Sequence, residues 1–118
     1  MKNSIILFNE RTPVEEKDSM GGKGLLLLDI LTEEGNKPHN LGSFTKAVLT
    51  PGSSVGYHEH HGESEYYFIL SGNGVYNDNG SEYAVKEGDV TFTPSGCGHG
   101  IANSGDVPLE FMTLVVMD

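Results

Sequence analysis

Four side chains able to grip a divalent cation fall in two tight groups, His58, His60 and Glu65 in the first and His99 in the second. On a strand, side chains two apart point to the same side, so His58 and His60 can converge while Glu59 and His61 turn away. The polar Gly62-Glu63-Ser64 can reverse the chain, after which Glu65 would open a second strand beside the first. Such a hairpin would bring a carboxylate to the two imidazoles. His99 follows Pro94-Ser95-Gly96-Cys97-Gly98 and has to arrive from a paired strand elsewhere. Three neutral imidazoles and one carboxylate leave a divalent ion with residual positive charge, and a six-coordinate ion keeps two positions for water or substrate. Inward histidines without such a partner would be costly to desolvate. Donor type does not choose among manganese, iron, nickel, copper and zinc.

Other residues with chemistry are weighed against their quieter roles. Tyr67 and Ile69 share parity with Glu65 and should point into the same interior. Tyr67 can donate a hydrogen bond or a proton there, which makes Glu65 and Tyr67 the candidate catalytic pair, with wall packing as the plainer role of the tyrosine. Phe92 is expected to line the same wall. His39 and His61 read as solvated side chains. Cys97, the only cysteine, excludes an intrachain disulfide; it fits a packing residue in a reducing compartment and is otherwise a redox-sensitive thiol near the site. Arg11 is the only arginine and lies outside the segments that carry the candidate ligands. A bidentate arginine clamp for a dicarboxylate is therefore not expected, and an acidic substrate would depend on the metal, Lys23 or Lys46.

The elements that must position these groups are strands. The chain has 118 residues, with 36% hydrophobic and 20% charged, which is enough for one core and one domain over residues 1–118. Sixteen glycines and five prolines punctuate it, and no apolar period of three to four residues survives them over the length of a buried helix. The best helical candidate is the short acidic stretch 13–19. Strand-like runs cover 4–8, 24–31, 43–50, 55–61, 65–70, 74–76, 82–85, 90–93, 99–102 and 109–116, each bounded by turn residues. Asn77 to Gly80 is the clearest hairpin turn. Residues 33–40 read as a polar surface loop, and Met20-Gly21-Gly22-Lys23-Gly24 as a flexible connector able to reach a pocket mouth. Ten short strands with tight turns suggest an all-β sandwich or closed barrel.

The composition also excludes partners. Seven Lys and Arg against seventeen Asp and Glu give a net charge of −10, which repels a phosphate backbone, so nucleic acid is not an expected partner. The aliphatic runs at 5–7 and 25–28 fall far short of the ~20 residues of a membrane span. With no leader pattern at its start, the chain reads as mature and cytoplasmic. The run Leu25 to Leu28 has more apolar residues than one inward face can use, which points to a homodimer.

The two ligand groups resemble the paired motifs of the cupins. Gly52, His58, His60, Glu65 and Gly72 fit the first motif over 52–72, and Gly88, Pro94, Gly96, His99 and Asn103 fit the second over 88–103. The resemblance implies a single-domain double-stranded β-helix, or jelly-roll barrel, with residues 1–41 supplying N-terminal strands and loops. It also implies a divalent metal near one mouth, held by His58, His60, Glu65 and His99, and often a dimer. Its reactions include dioxygenation, decarboxylation and isomerisation, of which oxidative chemistry on a small metal-chelating metabolite is the first expectation. A non-catalytic metabolite-binding or structural role is the alternative. A fused DNA-reading domain has no room in this length, and a metal-free sugar epimerase would leave the intact ligand set without a purpose.

Overall fold

The computed structural model describes residues 5–118. Among these described residues ten strands follow one another: β1 (Val14–Lys17), β2 (Leu25–Ile30), β3 (Leu41–Leu49), β4 (Ser54–Glu59), β5 (Glu63–Ser71), β6 (Asn73–Asp78), β7 (Ser81–Lys86), β8 (Val90–Thr93), β9 (Gly98–Asn103) and β10 (Leu109–Met117). They form a six-stranded sheet ordered β1-β2-β3-β10-β5-β8 and a four-stranded sheet ordered β4-β9-β6-β7, with every pairing antiparallel. The inward rows of both sheets meet in one core in which Leu49, Ile69, Leu109 and Phe111 from the larger sheet face Tyr76 and Ile101 from the smaller. This is the all-β jelly roll expected from the motifs.

Three sequence expectations need correction. The stretch 13–19 is not an α-helix: Val14–Lys17 is strand β1, which pairs with β2 in register from Val14↔Leu28 to Lys17↔Leu25, and only Ser19 opens a 3-10 turn, over Ser19–Gly21. Four residues form too short a segment to nucleate a helix against that ladder. Residues 5–8 of the expected first strand hold only an isolated bridge residue at Ile5 and the start of a 3-10 turn over Phe8–Glu10; residue 4 lies outside the described residues. Finally, β4 and β5 do not pair as a hairpin. They belong to opposite sheets, and the turn between them carries the chain across the core.

Glycines permit the closest approaches. Gly72, between β5 and β6, has φ +92°, and a Cβ there would press on the Pro108 carbonyl and the Leu109 backbone. The motif residue Asn103 ties the neighbouring turn together. Its amide nitrogen donates to the carbonyls of Leu49 (3.0 Å) and Val107 (2.8 Å), and its oxygen accepts from the Gly105 N–H (2.9 Å).

Candidate metal centre

The register of β4 decides where its histidines point. Val55 sits opposite Ile101 and His58 opposite His99, so three residues on β4 span two on β9. That extra residue is a β-bulge, and it resets the alternation. Strict parity would turn His58 away from the side that Val55 faces; with the bulge at Gly56-Tyr57, Val55 is buried in the core and His58 still reaches the interior. Gly56 is at this point because a Cβ there would run into the Met20 carbonyl. The strand ends at Glu59, and His60 is held by paired backbone bonds to the second-motif loop, His60 N–H to the Cys97 carbonyl (2.9 Å) and Gly96 N–H to the His60 carbonyl (2.7 Å).

The four candidate donors converge. His58 and His99 are cross-strand neighbours on β4 and β9, while Glu65 comes from β5 in the facing sheet, opposite Thr93 of β8. The three imidazole centroids form a near-equilateral triangle with sides of 4.9, 4.7 and 4.8 Å. Glu65 Oε1 lies 3.1 Å from His60 Nε2 and 3.0 Å from His99 Nε2, and the two nitrogens are 3.0 Å apart. All four donor atoms lie within 4.8 Å of one another. His60, Glu65 and His99 are buried and His58 is partly so.

Each ring is oriented through its other nitrogen. His58 Nδ1 donates to the Gly56 carbonyl (2.8 Å), His60 Nδ1 faces Glu63 Oε1 (3.3 Å), and His99 Nδ1 lies 2.8 Å from the Tyr76 hydroxyl and 2.9 Å from that of Thr93. When Nδ1 of His60 donates to Glu63 and Nδ1 of His99 donates to one of its hydroxyls, the Nε2 lone pairs of both rings point at each other and at a carboxylate, an arrangement that repels unless a cation lies between them. Adjacent donors around a shared six-coordinate ion with bonds of ~2.1 Å are about 3.0 Å apart, the spacing seen for His60, His99 and Glu65. The donor set therefore fits a divalent metal. Burial, reinforced by the neighbouring His99 and His60, pushes the His58 imidazole below its ordinary value, so it is neutral near pH 7 as a ligand must be.

Tyr67 is buried with its ring over His99, centroids 4.8 Å apart, and also borders the cavity. Burial first, and then the Glu65 carboxylate, drives its phenol well above the ordinary tyrosine value. It is a hydrogen-bond donor rather than a base. Ile69 is buried as expected, but Phe92 is not wall: it is 46% exposed and packs against Tyr66 on the outer face of the larger sheet, centroids 4.7 Å apart. On β8 it is Thr91 and Thr93 that point inward. His39 and His61 are exposed, the latter 3.3 Å from Glu59, and Cys97 is half-buried with a free thiol.

The cavity beside the donors has a volume of about 560 Å³. The connector at 20–24 is one of its fixed sides: Met20 lines it, and Lys23 is pinned to Ser54 by Ser54 N–H to the Lys23 carbonyl (2.8 Å). Neither Lys23 nor Lys46 borders the cavity; Lys46 pairs with Glu110 at 3.1 Å. Lys37, from the segment read as a polar loop, does border it. Arg11 is engaged by Asp29 through two bonds of 2.8 and 3.1 Å and is no clamp for a substrate. Sequence reasoning missed Glu63, Tyr76 and Thr93, the partners of the histidines. Parity gave a signal for the last two, since Tyr76 and Thr93 alternate with outward neighbours, and Glu63 lies three residues after His60.

An antiparallel jelly roll with three histidines and one carboxylate gathered in its interior defines a class of small β-barrel proteins with a site that could hold a metal. Residues 45–117 match the cupin domain family, and the chain belongs to it. It is similar to an oxalate-binding protein of Thermotoga maritima, 40% identical over 113 residues that cover 96% of this chain and 93% of that one. A crystal structure of a predicted oxalate decarboxylase from Thermotoga maritima superposes with a TM-score of 0.91 at 39% identity, covering 97% of this chain and 99% of that one. KdgF from Halomonas sp. shares the fold with a TM-score of 0.79 at 13% identity, covering 99% and 96% of the two chains. Among the described residues, no helix is long and apolar enough to cross a membrane.

Proposed function

We propose that this chain holds a divalent metal through His58, His60, Glu65 and His99 and binds a small organic acid that chelates through two oxygens. The observation that carries the reading is the convergence of four oriented donors on one point beside a cavity. A bound divalent ion would supply a Lewis-acid centre and, with one carboxylate among its ligands, a net positive charge for an acidic ligand. That charge matters in a chain of net −10, because the arginine that could otherwise receive a carboxylate is committed to Asp29. The likeness to an oxalate-binding protein supports the same ligand chemistry. Manganese, iron, nickel, copper and zinc all suit the donors.

A second reading, turnover of the bound acid, is favoured by Tyr67. Its phenol stays protonated against the cavity next to Glu65, where it can donate a hydrogen bond to a ligand oxygen and stabilise charge that develops there. Dioxygenation ranks first among the reactions, ahead of decarboxylation and isomerisation. The test is calorimetric titration of metal-loaded and chelator-stripped protein with oxalate, followed by oxygen uptake and product analysis. Metal-dependent binding without product supports a binding protein, and metal-dependent product supports an enzyme. Oxalate binding that ignores the metal contradicts both. Glu65→Ala is expected to keep the fold while lowering metal occupancy severalfold, read by elemental analysis; full occupancy in that variant would exclude Glu65 as a ligand.

The expected homodimer remains part of this proposal, with a different face. Leu25 to Leu28 are buried or half-buried within the chain between β1 and β3. The surplus apolar face is the outside of the larger sheet, where Phe44, Tyr66, Phe68 and Phe92 are each exposed by 40% or more. Pairing of two copies there would take this strip out of water. Sedimentation at the monomer mass across micromolar concentrations would reject it.

A further inference from the structure

The cavity extends well past the space a chelating head needs. Its 560 Å³ is in the range of pockets that bury drug-sized molecules. One row of its floor crosses four strands of the larger sheet: Tyr67 of β5 stands beside Thr113 of β10, then Thr45 of β3, then Ile30 of β2. Neighbouring strands are ~4.8 Å apart, so three steps carry the floor about 14 Å from the tyrosine. A second row, Phe111, Ala47 and Leu28, runs beside it and is apolar throughout. Ile30 is 49% exposed although it faces the cavity, and Leu28 is only partly buried against the core. The donors thus share the cavity with an apolar strip through Leu28 and Ile30, while Thr32, Ser43, Glu16, Glu34 and Lys37 line other parts of its wall.

We infer that the ligand carries its two chelating oxygens on an apolar body, which makes it a 2-oxo or 2-hydroxy acid with a branched aliphatic or aromatic side chain. The inference rests on the reading that the site binds a metal-chelating acid, and it adds what lies behind the head. A two-carbon dicarboxylate fills only the donor end and leaves the exposed surface of Leu28 and Ile30 facing water. An apolar side chain lying along that row removes both surfaces from water, a gain that grows with every carbon buried. The row itself holds no ionised group, and of the charged residues that line the rest of the cavity Lys37 is paired with Glu34 at 3.5 Å and Glu16 is an acid, so a second carboxylate on the body would meet no uncommitted cation there.

Titration calorimetry of the manganese-loaded protein with pyruvate, α-ketobutyrate, α-ketoisocaproate and phenylpyruvate tests this. These acids present the same chelating head and differ in side chain. Affinity is expected to rise about three- to fourfold for each added carbon that is buried. The ratio of phenylpyruvate to pyruvate affinity should fall toward one in Ile30→Asn, a half-exposed site that puts little of the fold at risk, and fall in Leu28→Ala as well. Metal-dependent binding that is equal across the series, or strongest for oxalate and pyruvate, overturns the inference and leaves the proposed function standing. Absence of metal-dependent binding by every probe, oxalate included, overturns the proposed function and this inference with it.

Discussion

At the scale of single residues, the three histidines are held by three different kinds of partner, and these differ in what they would do to metal affinity. His58 uses a backbone carbonyl that no substitution can remove, while His99 depends on two hydroxyls, Tyr76 and Thr93, that are also 2.9 Å from each other. The His99 imidazole is fully buried, so it cannot exchange these partners for water. Tyr76→Phe and Thr93→Val each remove one hydroxyl while preserving most of the packing volume. Outer partners of this kind typically contribute 10- to 100-fold in metal affinity. Competition titration with a chromophoric chelator is expected to show a loss of about that size in the double variant, with the far-ultraviolet spectrum unchanged. An affinity equal to the parent's would mean that the hydroxyls pack against the ring without orienting it. Glu63→Gln offers the contrast: its 3.3 Å approach to His60 is long for a charge-assisted bond, so a smaller effect is expected.

At the scale of elements, the bulge in β4 couples the donor cluster to the segment around Met20. Gly56 supplies the carbonyl that fixes His58 and leaves room for the Met20 carbonyl, and Gly22 packs as closely against Ser54. Gly56→Ala therefore forces two backbones apart, an overpacking that costs about 1–3 kcal/mol. A lower melting temperature together with weaker metal binding is expected; a loss of stability with metal affinity intact would uncouple bulge from ligand. The same bulge marks the limit of what the residues revealed in advance. The convergence of His58, His60, Glu65 and His99 was legible because histidine and carboxylate spacing is conspicuous, and His58 and His60 do reach one interior. The hairpin expected to join them to Glu65 was not correct, since hydrogen-bond partners of a strand depend on long-range pairing that local spacing does not encode. Likewise Val14–Lys17 carries charges suited to a helix turn and becomes a strand only because β2 offers it an edge. Phe92 shows the converse: a large aromatic next to inward threonines faces out, where local hydrophobicity misleads and alternation informs.

At the scale of the whole molecule, a chain of net charge −10 repels itself, and two of its few cations join segments distant in sequence. Arg11 ties the N-terminal segment to β2 through Asp29 while its guanidinium lies 5.6 Å from the Phe8 ring centroid, and Lys46 of β3 meets Glu110 of β10. The hydrogen bonds from Arg11, opposed by partial burial and aided by its charge, hold the Asp29 carboxyl below its ordinary value. Those from Lys46 and Ser71, with Lys46 the larger, lower Glu110. A carboxyl whose folded value is depressed binds fewer protons in the folded state than in the unfolded state, so stability rises with pH across that interval. The contribution is complete above the unfolded value of about 4 and is lost as pH falls through the depressed folded values. Asp29→Asn should accordingly melt at a lower temperature than the parent near pH 7, and the gap should close on acidification below about pH 4, where the parent's own carboxylate takes up its proton. Added salt should narrow the gap at neutral pH by only part, because the pair is bidentate and mostly shielded, with 19% and 17% of the two side chains exposed. A gap that persists unchanged through the acid range would mean that Asp29 stabilises through its packing and not through its charge.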